Sequence, residues 1–221
     1  MDSSGIKIFG TFGEDLVGWQ SGAAVSLQPF ADSGVEEVDT VIDASTGPLE
    51  DKRQRLRAWD RMKASRVLSA STTVTVSAQR RWAPRAHIIG IDALLMAAGG
   101  RIVTVAGADP DDFQWLNSLW PARIFVNVAD SVGHIFSREI LPIINEAVDV
   151  LARGVPPEDI DQGTKLGLNY PKGPLEWADL FGWEAVYWGL AALEDMYGPR
   201  FRPHPWIRAR LGRSLWDRES R

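Results

Sequence analysis

The sequence predicts an α/β domain with a largely parallel sheet, followed by an all-α domain. Three observations predict it. Short β-rich runs alternate with helical stretches through the first half. Apolar residues recur at helical spacing from Ile140 onward, and no strand signal follows Val128.

In order, Ile6–Phe9, Val25–Leu27, Thr40–Ile42, Val67–Leu68, His87–Ile91, Ile102–Val105 and Ile124–Val128 read as strands. Between them Leu49–Lys63 and Asp109–Leu119 read as helices; the run Asp109-Pro110-Asp111-Asp112 suits an N-terminal cap and the helix dipole. The sheet is thus expected to carry few helices. The domain boundary is expected near 130–133, giving domains 1–130 and 131–221. A long amphipathic helix starts near Gly133 and stops at Gly154, ahead of Pro156-Pro157. Pro157-Glu158-Asp159-Ile160 signals a second helix start, and Gly173-Pro174 leads into a helical stretch to Tyr197. The Arg-rich stretch from Arg200 to Arg221 reads as a solvated end.

Composition narrows the chemistry. A net charge of −5 and a pI near 5.3 argue against a nucleic-acid surface and against an anionic-membrane binder. The absence of cysteine excludes disulfides, thiolate catalysis and thiolate metal sites, and points to a reducing, cytoplasmic setting. Charge, Gly or Pro interrupts every apolar run before membrane-spanning length, and the N-terminus lacks a cationic leader region. His87, His134 and His204 stand far apart, none at metal-ligand spacing with a carboxylate, so no metal is expected. No Gly-x-Ser-x-Gly elbow or phosphate-binding loop is present.

A specific pattern runs through the second half. Arg138-Glu139-Ile140 to Asn145-Glu146-Ala147, then Gly154-Val155, Glu158-Asp159-Ile160-Asp161, Lys165-Leu166-Gly167 and Pro171-Lys172-Gly173-Pro174-Leu175, is continued by Ala178-Asp179-Leu180, Gly182, Tyr197-Gly198 and Arg200-Phe201-Arg202-Pro203. In order and spacing it resembles the C-terminal domain of 3-hydroxyacyl-CoA dehydrogenases. Gly167-Leu168-Asn169-Tyr170-Pro171 with Trp177 is most similar to the second half of the double-length dehydrogenases of phenylacetate catabolism, where a reduced Rossmann-like domain precedes a helical one. The resemblance implies fatty-acid or phenylacetate-type acyl-CoA metabolism, NAD as cofactor, and a homodimer, or a pseudo-dimer with a complete dehydrogenase subunit, built through the helical domain.

A dinucleotide site needs a strand, a glycine-rich turn and a helix N-terminus, with an acid ending the second strand. Here Ile6–Phe9 is followed by Gly10 and Gly13, but the three-glycine fingerprint is incomplete. The second strand ends Leu27-Gln28-Pro29-Phe30 without an acid at its tip, and Asp32 lies just beyond. The resemblance implies a helical insertion before Thr40 that binds the CoA tail, and this chain has only a short connection there. Ala44 and Lys52 match the family's nucleotide-side pattern, with Gly47 where it has an acid; a lysine on a helix's outer face reads as solvated.

The family's catalytic histidine falls on Asp92 and its orienting glutamate on Thr104, so neither half of the dyad is retained. A hydroxyl survives at Thr73, and Ser137 stands where the family has an asparagine. Asp92, Thr73 and Ser137 are therefore the candidate catalytic positions, and Gly10, Gly13, Ala44 and Lys52 the candidate cofactor contacts. His134 replaces a junction phenylalanine and reads as a partly buried packing residue; His87 reads as structural. Two functions fit: a catalytically reduced accessory or dimerisation subunit, or an active NAD-dependent 3-hydroxyacyl-CoA dehydrogenase with an altered or partner-completed site. A decayed duplicate is the third.

Overall fold

A computed structural model describes residues 6–9, 26–27 and 40–211, with side chains from 40 onward. The chain forms two compact units, 1–135 and 136–221, dividing a few residues beyond 130. Among the described residues, no helix is long and apolar enough to cross a membrane.

The first unit holds a seven-stranded sheet: β1 (Ile6–Phe9), β2 (Ser26–Leu27), β3 (Thr40–Asp43), β4 (Arg66–Ala70), β5 (His87–Ile91), β6 (Ile102–Ala106) and β7 (Ile124–Asn127), in the order β2-β1-β3-β4-β5-β6-β7. All seven expected strands are present. β1 to β5 run parallel, whereas β6 pairs antiparallel with β5 and parallel with β7. The central strands are continuous apolar runs, as strands covered on both faces must be: Val41, Ile42, Val67, Leu68, Ile88 and Ile89 are all buried. At the edge β7 alternates, with Ile124 and Val126 exposed on either side of buried Phe125.

Among the described residues, four helices accompany the sheet: α1 (Leu49–Arg61), α2 (Val76–Trp82), α3 (Ala93–Ala97) and α4 (Pro110–Leu119). The expectation of few helices is corrected by α2 and α3. Both are too short to show a helical period, and each starts from a cap: Thr75 Oγ1 accepts from Ala78 N at 3.3 Å, and Asp92 Oδ1 from Leu95 N at 3.2 Å. α2 is further fixed from 54 residues away, where Asp130 accepts from Val76 N and Ser77 N at 2.7 and 2.8 Å. α4 begins in a reciprocal capping box between Asp109 and Asp112. Leu56 and Trp59 of α1 pack with Val41, Val67, Val76 and Ile88 in one core cluster.

The second unit is helical: α5 (Phe136–Ala152), α6 (Pro157–Leu168), α7 (Pro174–Phe181), α8 (Trp183–Tyr197), a 3-10 turn at Pro199–Phe201, and α9 (Pro205–Ala209). The predicted helix from Leu175 to Tyr197 is broken at Gly182, whose φ of 82° lies where glycine is favoured. Ile140, Leu141, Ile144 and Val148 of α5 are buried, as are Leu175, Phe181, Val186 and Leu190. Trp177 and Phe181 stack at 5.5 Å between ring centroids, and Phe136 meets both edge-on.

Candidate functional site

The carboxyl ends of parallel strands are where α/β sheets place their sites. Here Asp43 at the end of β3 is the register partner of Ser69, which in turn pairs with Gly90, both one residue before the ends of β4 and β5. Loop 71–75 follows β4, and the segment after β7 crosses to it: Val128 N donates to Val105 O at 2.8 Å, and Gly133 N to Ser71 O at 2.8 Å. With Asp130 clamped on α2, these bonds tie 128–133 in place like a strap.

The strap delivers His134. Its φ is 44°, in the left-handed region that few residues other than glycine adopt, and its side chain is only 3% exposed. Nδ1 lies 3.3 Å from the Thr104 carbonyl and 3.5 Å from Thr104 Oγ1. A carbonyl only accepts, so Nδ1 carries the hydrogen and Nε2 presents a lone pair. Nε2 is buried without a hydrogen-bond partner. Burial pushes the ring's pKa below 6.5, outweighing the charges of Asp92 and Asp130 and the Thr104 hydrogen bond, so the imidazole is neutral at pH 7. The sequence reading of a partly buried packing histidine is corrected: the ring is fully enclosed and one nitrogen is left unsatisfied.

Asp92 and Thr104 face each other across β5 and β6, Asp92 N donating to Thr104 O at 3.2 Å. Both are buried, and the Asp92 carboxylate caps α3. Thr73 is buried in the loop after β4. Ser137 is buried in the first turn of α5 in the second unit. The first unit therefore brings Asp92, Thr104 and His134 together, and the last of these was missed. A histidine replacing an apolar residue next to a glycine was the available signal.

The nucleotide-side candidates divide. Gly10 and Gly13 lie outside the described residues, as do Gln28 to Phe30 and Asp32. Ala44 is buried directly after β3. Lys52 is not solvated, correcting the sequence reading: it is 1% exposed, with Nζ 3.3 Å from Asp43 Oδ2 and donating to Asp43 O at 3.2 Å. Burial lowers its pKa to about 8 against the pull of Asp43. Asp43 also meets Arg55 at 3.6 Å and accepts from Ser45 N and Oγ. Burial raises the carboxyl's pKa, but these cations and hydrogen bonds prevail and hold it below its ordinary value.

At the opposite ends of the strands, His87 Nε2 lies 2.7 Å from Asp112 Oδ2 and 4.0 Å from Asp109 Oδ2, a pairing between residues that are more than twenty positions apart in the sequence. The three donors are close enough to share a cation. They are already spent on the α4 capping box and on Arg66, whose Nε is 3.4 Å from Asp112 Oδ1.

Residues 133–218 match the family model for the 3-hydroxyacyl-CoA dehydrogenase C-terminal domain, so the helical unit is of that class. The chain is 38% identical over 120 residues to the 3-hydroxyadipyl-CoA dehydrogenase of Escherichia coli K12, covering 50% of this chain and 25% of the relative. It is 27% identical over 182 residues to the 3-hydroxybutyryl-CoA dehydrogenase of Clostridioides difficile, covering 77% and 64%. It spans less than two thirds of the length of either. A crystal structure of M. tuberculosis FadB2 superposes with a TM-score of 0.71 at 14% identity, covering 95% of this chain and 93% of that one, a likeness of fold. The family shown is that of the 3-hydroxyacyl-CoA dehydrogenase C-terminal domain, over residues 133–218.

Proposed function

We propose that this chain is a catalytically reduced subunit of acyl-CoA metabolism that pairs through its helical unit with a complete dehydrogenase, and does not itself transfer hydride. The observation that carries the reading is the fate of the family's dyad positions. One holds Asp92, whose carboxylate caps α3; the other holds Thr104, which has no acid to offer. Lys52 supports it, since an ammonium enclosed against Asp43 leaves no free donor for a nucleotide. Titration with NADH is expected to give no binding heat, while a mixture with a complete family dehydrogenase is expected to elute as a mixed species. NADH binding, or NADH oxidation with acetoacetyl-CoA by this chain alone, would overturn the reading.

One observation favours the second reading, an active dehydrogenase with an altered site: His134 stands against the vacated dyad with an unsatisfied nitrogen. Steady-state NADH oxidation decides between the two.

A further inference from the structure

The strap closes on a titratable side chain. Val128 N and Gly133 N donate to β6 and to the loop after β4, Asp130 accepts from two amides of α2, and His134 N completes a turn onto Ser131 O at 3.5 Å. Just past the strap, the His134 ring is its last anchor in the first unit: it is buried, with Nδ1 at 3.3 Å from the Thr104 carbonyl. Gly90 lets the ring lie close against β5, since a Cβ there would stand 3.4 Å from Nε2.

This enclosure suits one protonation state. The neutral ring directs its one N–H at Thr104, whereas an imidazolium has two, and Nε2 has no hydrogen-bond partner among the described residues. A buried cation with an unpaired donor is unfavourable. The charged groups that face the ring are Asp92, from the junction of β5 and α3, and Asp130 of the strap itself; both favour the cation, but burial outweighs them and holds the pKa below 6.5. Loop 71–75, β6 and α3 carry no charged side chain, Arg80 of α2 is turned to the Ile88 and Gly107 carbonyls, and His87 lies at the far end of β5.

We propose that His134 is an acid-sensitive catch: protonation of the ring expels it from beside Thr104 and frees 128–133 from β6, from the loop after β4 and from α2, while the sheet stays folded. The step takes one proton from solvent onto Nε2 and breaks no covalent bond. Release uncovers Thr104, so the place where Asp92 and Thr104 meet is closed at neutral pH and opens in acid. The ring of a released strap titrates near 6.5 and the enclosed ring lower, so closure is fully present above 6.5 and is lost as the pH falls from there to the enclosed value. Over that interval the open population grows about tenfold per pH unit. The catch operates whether or not the chain transfers hydride.

The test is hydrogen–deuterium exchange of the whole protein at about pH 7.5 and about pH 5.5, read as protection factors so that the intrinsic pH dependence of exchange cancels. The amides of Val76, Ser77, Val128 and Gly133 are expected to lose protection about five- to tenfold in acid, while those of β4 keep theirs. Two variants remove the titrating ring: His134→Phe keeps an aromatic side chain, and His134→Asn tolerates the positive φ. In either one, protection of the four amides is expected to be the same at both pH values, whether high or low. No acid loss in the wild type would overturn the proposal. So would an equal loss in the variants, which would place the sensitivity on a carboxylate such as Asp130, or a loss shared by β4, which would mean unfolding of the whole unit.

Discussion

Asp43 is fully buried and stands between two cations. Removing one partner of such a cluster leaves the others unpaired in a low-dielectric interior, so Asp43→Asn is expected to cost about 3–5 kcal/mol at neutral pH by urea denaturation. The pH dependence has a definite sign. The folded-state pKa lies below the ordinary 3.8, so the stabilisation is fully present above that value and lost as pH falls through the lower folded value. The gap between wild type and variant should therefore narrow in melts run at pH 3 and below; a constant gap would count against the pairing. None of this was legible in the sequence. Lys52 lies nine residues from Asp43, on a helix whose outer face is expected to be wet, and only the return of α1 across β3 turns it inward.

At the scale of elements, capping chemistry separates what the sequence revealed from what it hid. α4 announced itself through its Asp-Pro-Asp-Asp start, and Asp109→Ala should cost about 1 kcal/mol, read as a lowered thermal midpoint. α2 stayed hidden because part of its start is secured by Asp130, more than fifty residues downstream. In the helical unit Asp161 of α6 accepts from Leu175 N and Glu176 N at 2.8 and 3.1 Å, fastening α7 to α6. Gly173 makes room for it, since a Cβ there would collide with the Asp161 side chain. Gly173→Ala is thus expected to destabilise by about 1–3 kcal/mol, whereas Gly163→Ala, whose Cβ meets nothing within 4 Å, should not destabilise.

At the scale of the molecule, the strands were legible because they are short apolar runs, mostly β-branched, between turn signals, and the helical unit was legible from its apolar period. The centre of the polar site was not. His134 has no local signal of function; it acquires one when the segment after β7 folds back over β5 and β6. Sheet position also predicts local stability. In hydrogen–deuterium exchange, amides of β4, covered on both flanks and nearly wholly buried, should exchange slowest in the first unit, and those of edge strand β7 earlier; the reverse order would contradict this strand order. The strap from Val128 to Gly133 has a further consequence. It is pinned at Val128, Asp130 and Gly133 by bonds to β6, to α2 and to the loop after β4, so its length is determined within the first unit. Most surface connections drift freely by gaining and losing residues. An extra residue here would have to be absorbed beside His134, where it would swing the ring away from Thr104, so this connection can change in composition but not in length.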